Sequence, residues 1–256
     1  MILRRAWRRA LPALVGLSSI LVIWELVALI FFRHSQTVPT PTAVARGLWD
    51  ERQFYPANVV PTVAAAGKGY IFGNGLAVLM ATATVVAPFT EKFLLRIAVV
   101  AYSLPLIALA PILVVVFNGD TPEVVLAALS VFFTTLIGIH LGLHSADKSS
   151  LDVVRAYGGG RLMELTKVRA WSCLPSFFAA LRIAAPSALL GAIIGEFLGA
   201  DRGLGVALVA SQQAFNGVRT WGIAIVCAGI AGGGYLVTSL LARLLVPWAQ
   251  SAGRPQ

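Results

Sequence analysis

Residues 124–143 read V-V-L-A-A-L-S-V-F-F-T-T-L-I-G-I-H-L-G-L, twenty positions without one Asp, Glu, Lys or Arg. As a helix this run is about 30 Å long, the thickness of a bilayer's hydrocarbon core. Five more runs of comparable character flank it. They cover 11–32, interrupted by Glu25; 59–88, with Lys68 early and a cleaner core from Gly69; 93–117; 177–200; and 221–246. Each is at or near the roughly 20 apolar residues a spanning helix needs. A membrane barrel alternates polar and apolar residues in segments of about ten, and these runs do not. The pattern predicts an all-α integral membrane protein with six transmembrane helices.

Composition agrees. The 256 residues are 58% hydrophobic and only 12% charged, with a mean hydropathy of +0.82. A soluble domain carries about 25% charge, so these charges are too few to cover a globule. The net charge of +9 is not the footprint of a nucleic-acid binder, which gathers its basic residues on one polar face. Here the basic residues mostly flank the apolar runs. With the N-terminus inside, 14 of the 20 Lys and Arg fall on the inner side and 5 outside, with Lys68 in or near the membrane. The inner set includes Arg4, Arg5, Arg8, Arg9, Lys92, Arg96, Arg243 and Arg254, and the outer set Arg33, Arg46, Arg52, Arg202 and Arg219. The positive-inside rule therefore places both termini in the cytoplasm. The first apolar run is longer than the 7–15 residues of a signal-peptide core, and no small-residue cleavage pattern follows it, so it reads as a retained helix. Cys173 and Cys227 make neither a disulfide framework nor a metal spacing.

The motifs do not describe an enzyme: there is no P-loop, no H-E-x-x-H and no G-x-S-x-G, and no catalytic residue is assigned. Gly69, Gly73 and Gly75 lie in an apolar run, where small residues serve close helix packing. His140 and His144 have the i, i+4 spacing of a metal pair, but no third ligand is near them in sequence, so the reading assigns no metal. Glu25, Lys68 and Glu196 interrupt apolar stretches, where a charge costs about 2.5–3.5 kcal/mol on insertion scales and faces protein or water. Glu196 precedes the glycine-rich F-L-G-A-D-R-G-L-G; it either hydrogen-bonds at a broken helix or lines a pathway. The run 93–117 carries S-L-P-L-I-A-L-A-P, and Pro105 and Pro111 bend a helix that either walls a conduit or simply packs. Ser103, Pro105, Pro111, Glu196, Gly203 and Gly205 are the pathway candidates. The connection 145–176 is too elaborate for a linker. Apolar and basic residues at mixed helical spacing, broken by Gly158-Gly159-Gly160, suggest two short helices with a glycine hinge and a contact surface for a cytoplasmic partner.

Within that connection D-V-V-R-A-Y-G, Asp152 to Gly158, resembles the E-A-A-x-x-x-G loop of binding-protein-dependent ABC importer permeases of type I. Three further motifs follow the same family in order. T-V-P-T-P-T-A-V is similar to its L-P-S-P-x-x-V segment after the first helix. S-L-P-L-I-A-L-A-P-I-L-V-V-V-F-N-G is similar to the third-helix signature of its nitrate, sulfonate, taurine and bicarbonate branch, and G-E-F-L-G-A-D-R-G-L-G to that branch's E-F-L-x-A-x-x-G-L-G element. The likeness covers nearly the whole chain. It departs at Asp152, which keeps the charge with a shorter reach, at the bulkier Val153 and Val154, at Trp171, where a proline is common, and at Ala65, where an arginine is.

The resemblance implies a permease subunit in the bacterial cytoplasmic membrane, importing a small polar or anionic solute by alternating access. Its coupling loop would be Asp152, Val153, Val154, Tyr157, Gly158, Arg161 and Leu162, seated on a cytoplasmic ATPase dimer that binds ATP and magnesium; this chain would bind no cofactor. Further implied partners are a second permease chain, identical or related, an extracytoplasmic solute-binding protein and membrane lipid, with no nucleic acid. The implied organisation is a first helix and outer loop over 1–56, a transmembrane core over 57–248 holding the loop 145–176, and a short tail over 249–256. A six-helix channel or secondary transporter working without an ATPase is the alternative; inverted repeats would favour it, and the halves show no internal similarity. A membrane enzyme or a vitamin-binding subunit would need intramembrane catalytic or ligand clusters, which the sequence lacks.

Overall fold

A computed structural model describes the backbone of residues 2–32 and 37–250, all helices, turns and extended links with no strand among the described residues. Arg33, His34 and the tail from Ser251, with Arg254, lie outside the described residues, as do the side chains of Arg4, Arg5, Arg8 and Arg9. In chain order the helices are α1 (Ile2–Phe31), α2 (Pro41–Asp50), α3 (Phe54–Val86), α4 (Glu91–Ser103), α5 (Leu106–Val116), α6 (Thr121–His144), α7 (Lys148–Ala156), α8 (Arg161–Glu164), α9 (Ala170–Gly199), α10 (Leu204–Gln213) and α11 (Gly217–Leu245). By length and composition four described helices can cross a membrane: Phe54–Val86, Thr121–His144, Arg161–Gly199 and Gly217–Leu245. Ser18–Phe31 and Leu106–Val116 are shorter apolar helices.

The third apolar run is not one helix. It stops at Ser103 and restarts at Leu106, because Pro105 has no N–H to donate and its ring drives the preceding residue out of the helical region. Pro105 (φ −67°, ψ 117°) then sits at the start of α5, and its carbonyl accepts the Ala108 amide at 2.9 Å.

Contacts divide the chain into two compact units. The first comprises Met1–Pro56 and Ala207–Val226. Its T-V-P-T-P-T stretch starts α2: the Thr40 side chain accepts the Ala43 amide at 3.2 Å and Pro41 takes the first helical position, where a missing N–H costs nothing. Glu25 accepts the Thr42 hydroxyl at 3.0 Å, and the Trp24 indole donates to the Pro39 carbonyl at 3.1 Å. The intramembrane charge flagged by sequence thus has partners in its own unit. Glu51, beyond the end of α2, receives both arms of the Arg219 guanidinium, each at 2.7 Å, and that pair holds the Glu51 carboxyl below its usual range.

The second unit comprises Ala57–Val206 and Cys227–Gln256. Its centre is the antiparallel pair α6 and α9. On α9, Ala180, Ala184, Ala188, Gly191 and Gly195 recur every three or four residues and are buried. A Cβ at Gly191 would meet the Leu126 carbonyl at 2.6 Å, and one at Gly195 the Glu123 Cα at 2.7 Å. Small side chains let the helix backbones touch, the packing mode of helices in lipid. Gly69 and Gly73 of α3 do the same against Ala127 and Ala128 of α6, which makes them packing glycines. A polar thread crosses the three helices: Tyr70 donates to the Leu181 carbonyl at 3.2 Å, Asn74 to the Tyr70 carbonyl at 2.7 Å, and Thr135 to the Asn74 side chain at 2.6 Å. Outward faces carry bare apolar side chains, among them Ile71, Phe72 and Leu79 on α3 and Ile112 and Val115 on α5, a surface suited to lipid rather than water.

Candidate functional site

The connection 145–176 holds two short helices about a glycine turn, α7 and α8, of which the second runs on into α9. The Asp147 side chain caps α7 by accepting the Ser150 amide at 3.2 Å, and hydrogen bonds from Ser149, Ser150 and backbone amides hold the Asp147 carboxyl below its usual range. After a turn over 157–160 the helix restarts at Arg161, passes through a wider π-helical turn, Leu165–Arg169, and continues as α9. The glycine hinge is therefore a turn with one required glycine. Gly158 has φ +77°, a region most side chains avoid, and its amide donates to the Arg155 carbonyl at 2.9 Å. Gly159 packs under Val154, whose Cγ1 would lie 2.5 Å from any added Cβ.

What holds this loop in place is an ion cluster that the sequence does not mark. Glu164 is buried; it receives Arg155 Nε at 2.7 Å and Arg169 Nη2 at 3.3 Å, while Arg169 Nη1 donates to the Leu143 carbonyl at 3.0 Å. Arg155 also reaches Asp152 at 3.3 Å. One carboxylate so ties α7 to the start of the α9 segment, and Arg169 ties both to the end of α6. In sequence the basic residues of this connection read as topology signals and as part of a contact surface, not as an internal anchor. The spacing between residues 155 and 164 has no helical period, because a turn intervenes. Above the cluster Val153, Tyr157, Leu162 and Met163 are exposed, Tyr157 at 86%; Asp152, Gly158 and Arg161 are exposed beside them and Val154 is half-buried. These exposed apolar side chains are rimmed by charge, the composition common at protein contact patches.

Near the start of α6 the pathway candidates separate into two groups. Glu196, Gly203 and Gly205 come together. The Gly205 amide donates to Glu196 Oε2 at 2.7 Å and the Leu204 amide to the Thr62 hydroxyl at 2.8 Å, so the first amides of α10 are satisfied by side chains from α9 and α3. Gly203 has φ +136° and its missing Cβ makes room for the Glu196 carboxylate. Glu196 is therefore a capping acceptor. It also lines a cavity of about 350 Å³ with Pro61, Asp120, Glu123, Asp201 and Arg202. Lys68 of α3 pairs with Asp120, and that hydrogen bond holds the Asp120 carboxyl below its usual range. Glu123 is buried with Oε2 lacking a partner among the described residues. Ser103, Pro105 and Pro111 are exposed along the broken third run and do not line this cavity.

Several helices long and apolar enough to cross a membrane define an integral membrane protein. The chain belongs to the family of binding-protein-dependent transport system inner membrane components, whose profile matches residues 73–251. It is 28% identical over 202 residues to a probable ABC transporter permease protein of Haemophilus influenzae, covering 78% of this chain and 82% of that protein. It is 26% identical over 248 residues to a formylaminopyrimidine transport permease protein of Halalkalibacterium halodurans (96% and 98%). To a putative aliphatic sulfonates transport permease protein of Bacillus subtilis it is 22% identical over 254 residues (97% and 90%). It is accordingly an ABC-transporter permease, a multi-pass membrane protein of transport rather than of catalysis.

Proposed function

We propose that this chain is the pathway-forming subunit of an ATP-driven importer for a small polar or anionic solute in the bacterial cytoplasmic membrane. It crosses six times with both ends inside, and Asp152, Val153, Val154, Tyr157, Gly158, Arg161 and Leu162 dock on a cytoplasmic ATPase dimer. That partner binds ATP and magnesium; this chain converts its closure into alternating access. A second permease chain completes the pathway, and an extracytoplasmic binding protein supplies solute. The observation that carries the reading is the exposed patch of Val153, Tyr157 and Leu162 on a loop fastened through Glu164 to the α9 segment and through Arg169 to α6. A push on this surface moves long helices, not a floppy linker. Relatives named for a pyrimidine and for sulfonates support a small polar cargo.

The test is Gly158→Pro in the chain reconstituted with its ATPase and binding protein. Proline cannot adopt φ +77° and removes the amide bonded to Arg155. Insertion should hold and the thermal midpoint fall only as far as the strained turn requires, while ATP-driven uptake and ATPase stimulation fall to the level of empty vesicles. Normal uptake would refute the docking role.

A further inference from the structure

The His140 and His144 pair, left without a third ligand by the sequence, acquires one in the fold. Glu91, the first residue of α4, lies beside the last turn of α6, and ligand atoms of Glu91, His140 and His144 all fall within 4.8 Å of one another. His140 Nε2 is 3.3 Å from Glu91 Oε1. Metal bonds of about 2.0–2.1 Å put tetrahedral ligand atoms roughly 3.3 Å apart, so this edge already has the required length.

The remaining hydrogen bonds decide which nitrogens are available. His144 Nδ1 lies 2.8 Å from the His140 carbonyl, which only accepts, so Nδ1 carries the proton and Nε2 keeps its lone pair. The Thr84 hydroxyl spends its proton on the Ala81 carbonyl at 2.7 Å. Its oxygen, 3.4 Å from His140 Nδ1, can then only accept, so His140 Nδ1 is protonated as well. His140 Nε2 therefore points a lone pair at a carboxylate oxygen unless a proton or a cation lies between them. A ligating histidine whose other nitrogen donates to a carbonyl or hydroxyl is the outer-shell arrangement of protein metal sites. Convergence of a third donor, His144, favours a metal over a single shared proton. His140 is mostly buried, whereas His144 is exposed and opens to a cleft of about 260 Å³ shared with Arg155, Arg161, Glu164 and Arg169.

We propose that Glu91, His140 and His144 form a site for a divalent transition metal of the zinc class, with water as fourth ligand. Two imidazoles and one carboxylate match zinc or cobalt better than magnesium or calcium, which prefer all-oxygen shells. Bound metal would staple the start of α4 to the end of α6. The arginines sharing the cleft weaken binding, so the expected Kd is micromolar rather than that of a closed structural site.

The experiment uses the untagged full-length chain in detergent, dialysed against Zn²⁺ for stoichiometry and titrated with Co²⁺ for visible absorption. One metal per chain and an intense tetrahedral cobalt band are expected. Glu91→Gln, His140→Gln and His144→Gln should each weaken binding at least about tenfold, while Cys173→Ser and Cys227→Ser leave it unchanged. Zn²⁺ should slow amide exchange at residues 89–92 and 140–144 of the unaltered chain, a readout independent of how the variants fold. Failure to bind one equivalent, or loss of binding with the cysteines instead, overturns the proposal.

Discussion

At Gly203 backbone and side chain constrain each other. Its φ of +136° disfavours any L side chain, and the space a Cβ needs is held by the Glu196 carboxylate that caps α10. Gly203→Ala should cost about 1–3 kcal/mol, lowering the thermal midpoint in detergent. Part of that cost is collision with one carboxylate. The same substitution should therefore cost less in a Glu196→Ala background, a non-additivity expected of touching residues. Equal losses in both backgrounds would show that backbone strain alone sets the requirement. The glycine-rich motif was legible as a break beside a charged residue. That Glu196 closes the break by bonding the Gly205 amide was not, because nine residues of helix and turn separate donor from acceptor.

On the scale of elements, ion pairs between chain-distant segments fasten the helices' ends. The Arg219 fork on Glu51 joins the end of α2 to the first turn of α11. Glu51 titrates lower when folded than its ordinary 4.5 because Arg219 donates to it. A depressed carboxyl contributes stability above its unfolded value and loses it as pH falls through the folded one. Glu51→Gln should thus lower the thermal midpoint by roughly 2–4 °C near neutral pH, and the gap should close as pH drops below 4.5. A gap of constant size down to low pH would mean the glutamine acts through packing. The break of the third apolar run belongs to this scale too. Pro105 was visible as a bend, yet whether a bend becomes a full stop depends on what satisfies the freed backbone groups. Here a new helix, α5, starts within two residues and packs on α6 and α9.

For the whole molecule the question is how many copies surround the pathway. Departures at Asp152, Val153, Val154 and Trp171 leave room for a related second permease with a more regular loop. In the fold, however, the anchoring of that loop is complete within one chain: Glu164 holds both arginines and Val153 and Tyr157 remain exposed. If the proposed docking role holds, each copy presents its own surface, and the expected assembly is two copies of this chain with two ATPase subunits. Co-expression of two differently tagged copies with the ATPase, followed by native mass spectrometry, should recover both tags in one complex. Assembly only in the presence of a different permease would sink the expectation.

The sequence by itself determined what repeats along the chain: apolar runs such as 124–143, the small-residue spacing that packs Gly69 and Gly73, the glycine break at 158–160, and family membership through ordered motifs. These are local or periodic properties, set by the length of a helix in lipid and by backbone sterics. Only the tertiary structure decided which distant polar groups meet. Glu164 between Arg155 and Arg169, Glu51 beneath Arg219, and Glu91 beside His140 are each brought together by helix packing and turns. Within the second unit, small-residue contacts set α6 against α9, and in both units a side chain's partners follow from where its helix is set, not from its neighbours in sequence.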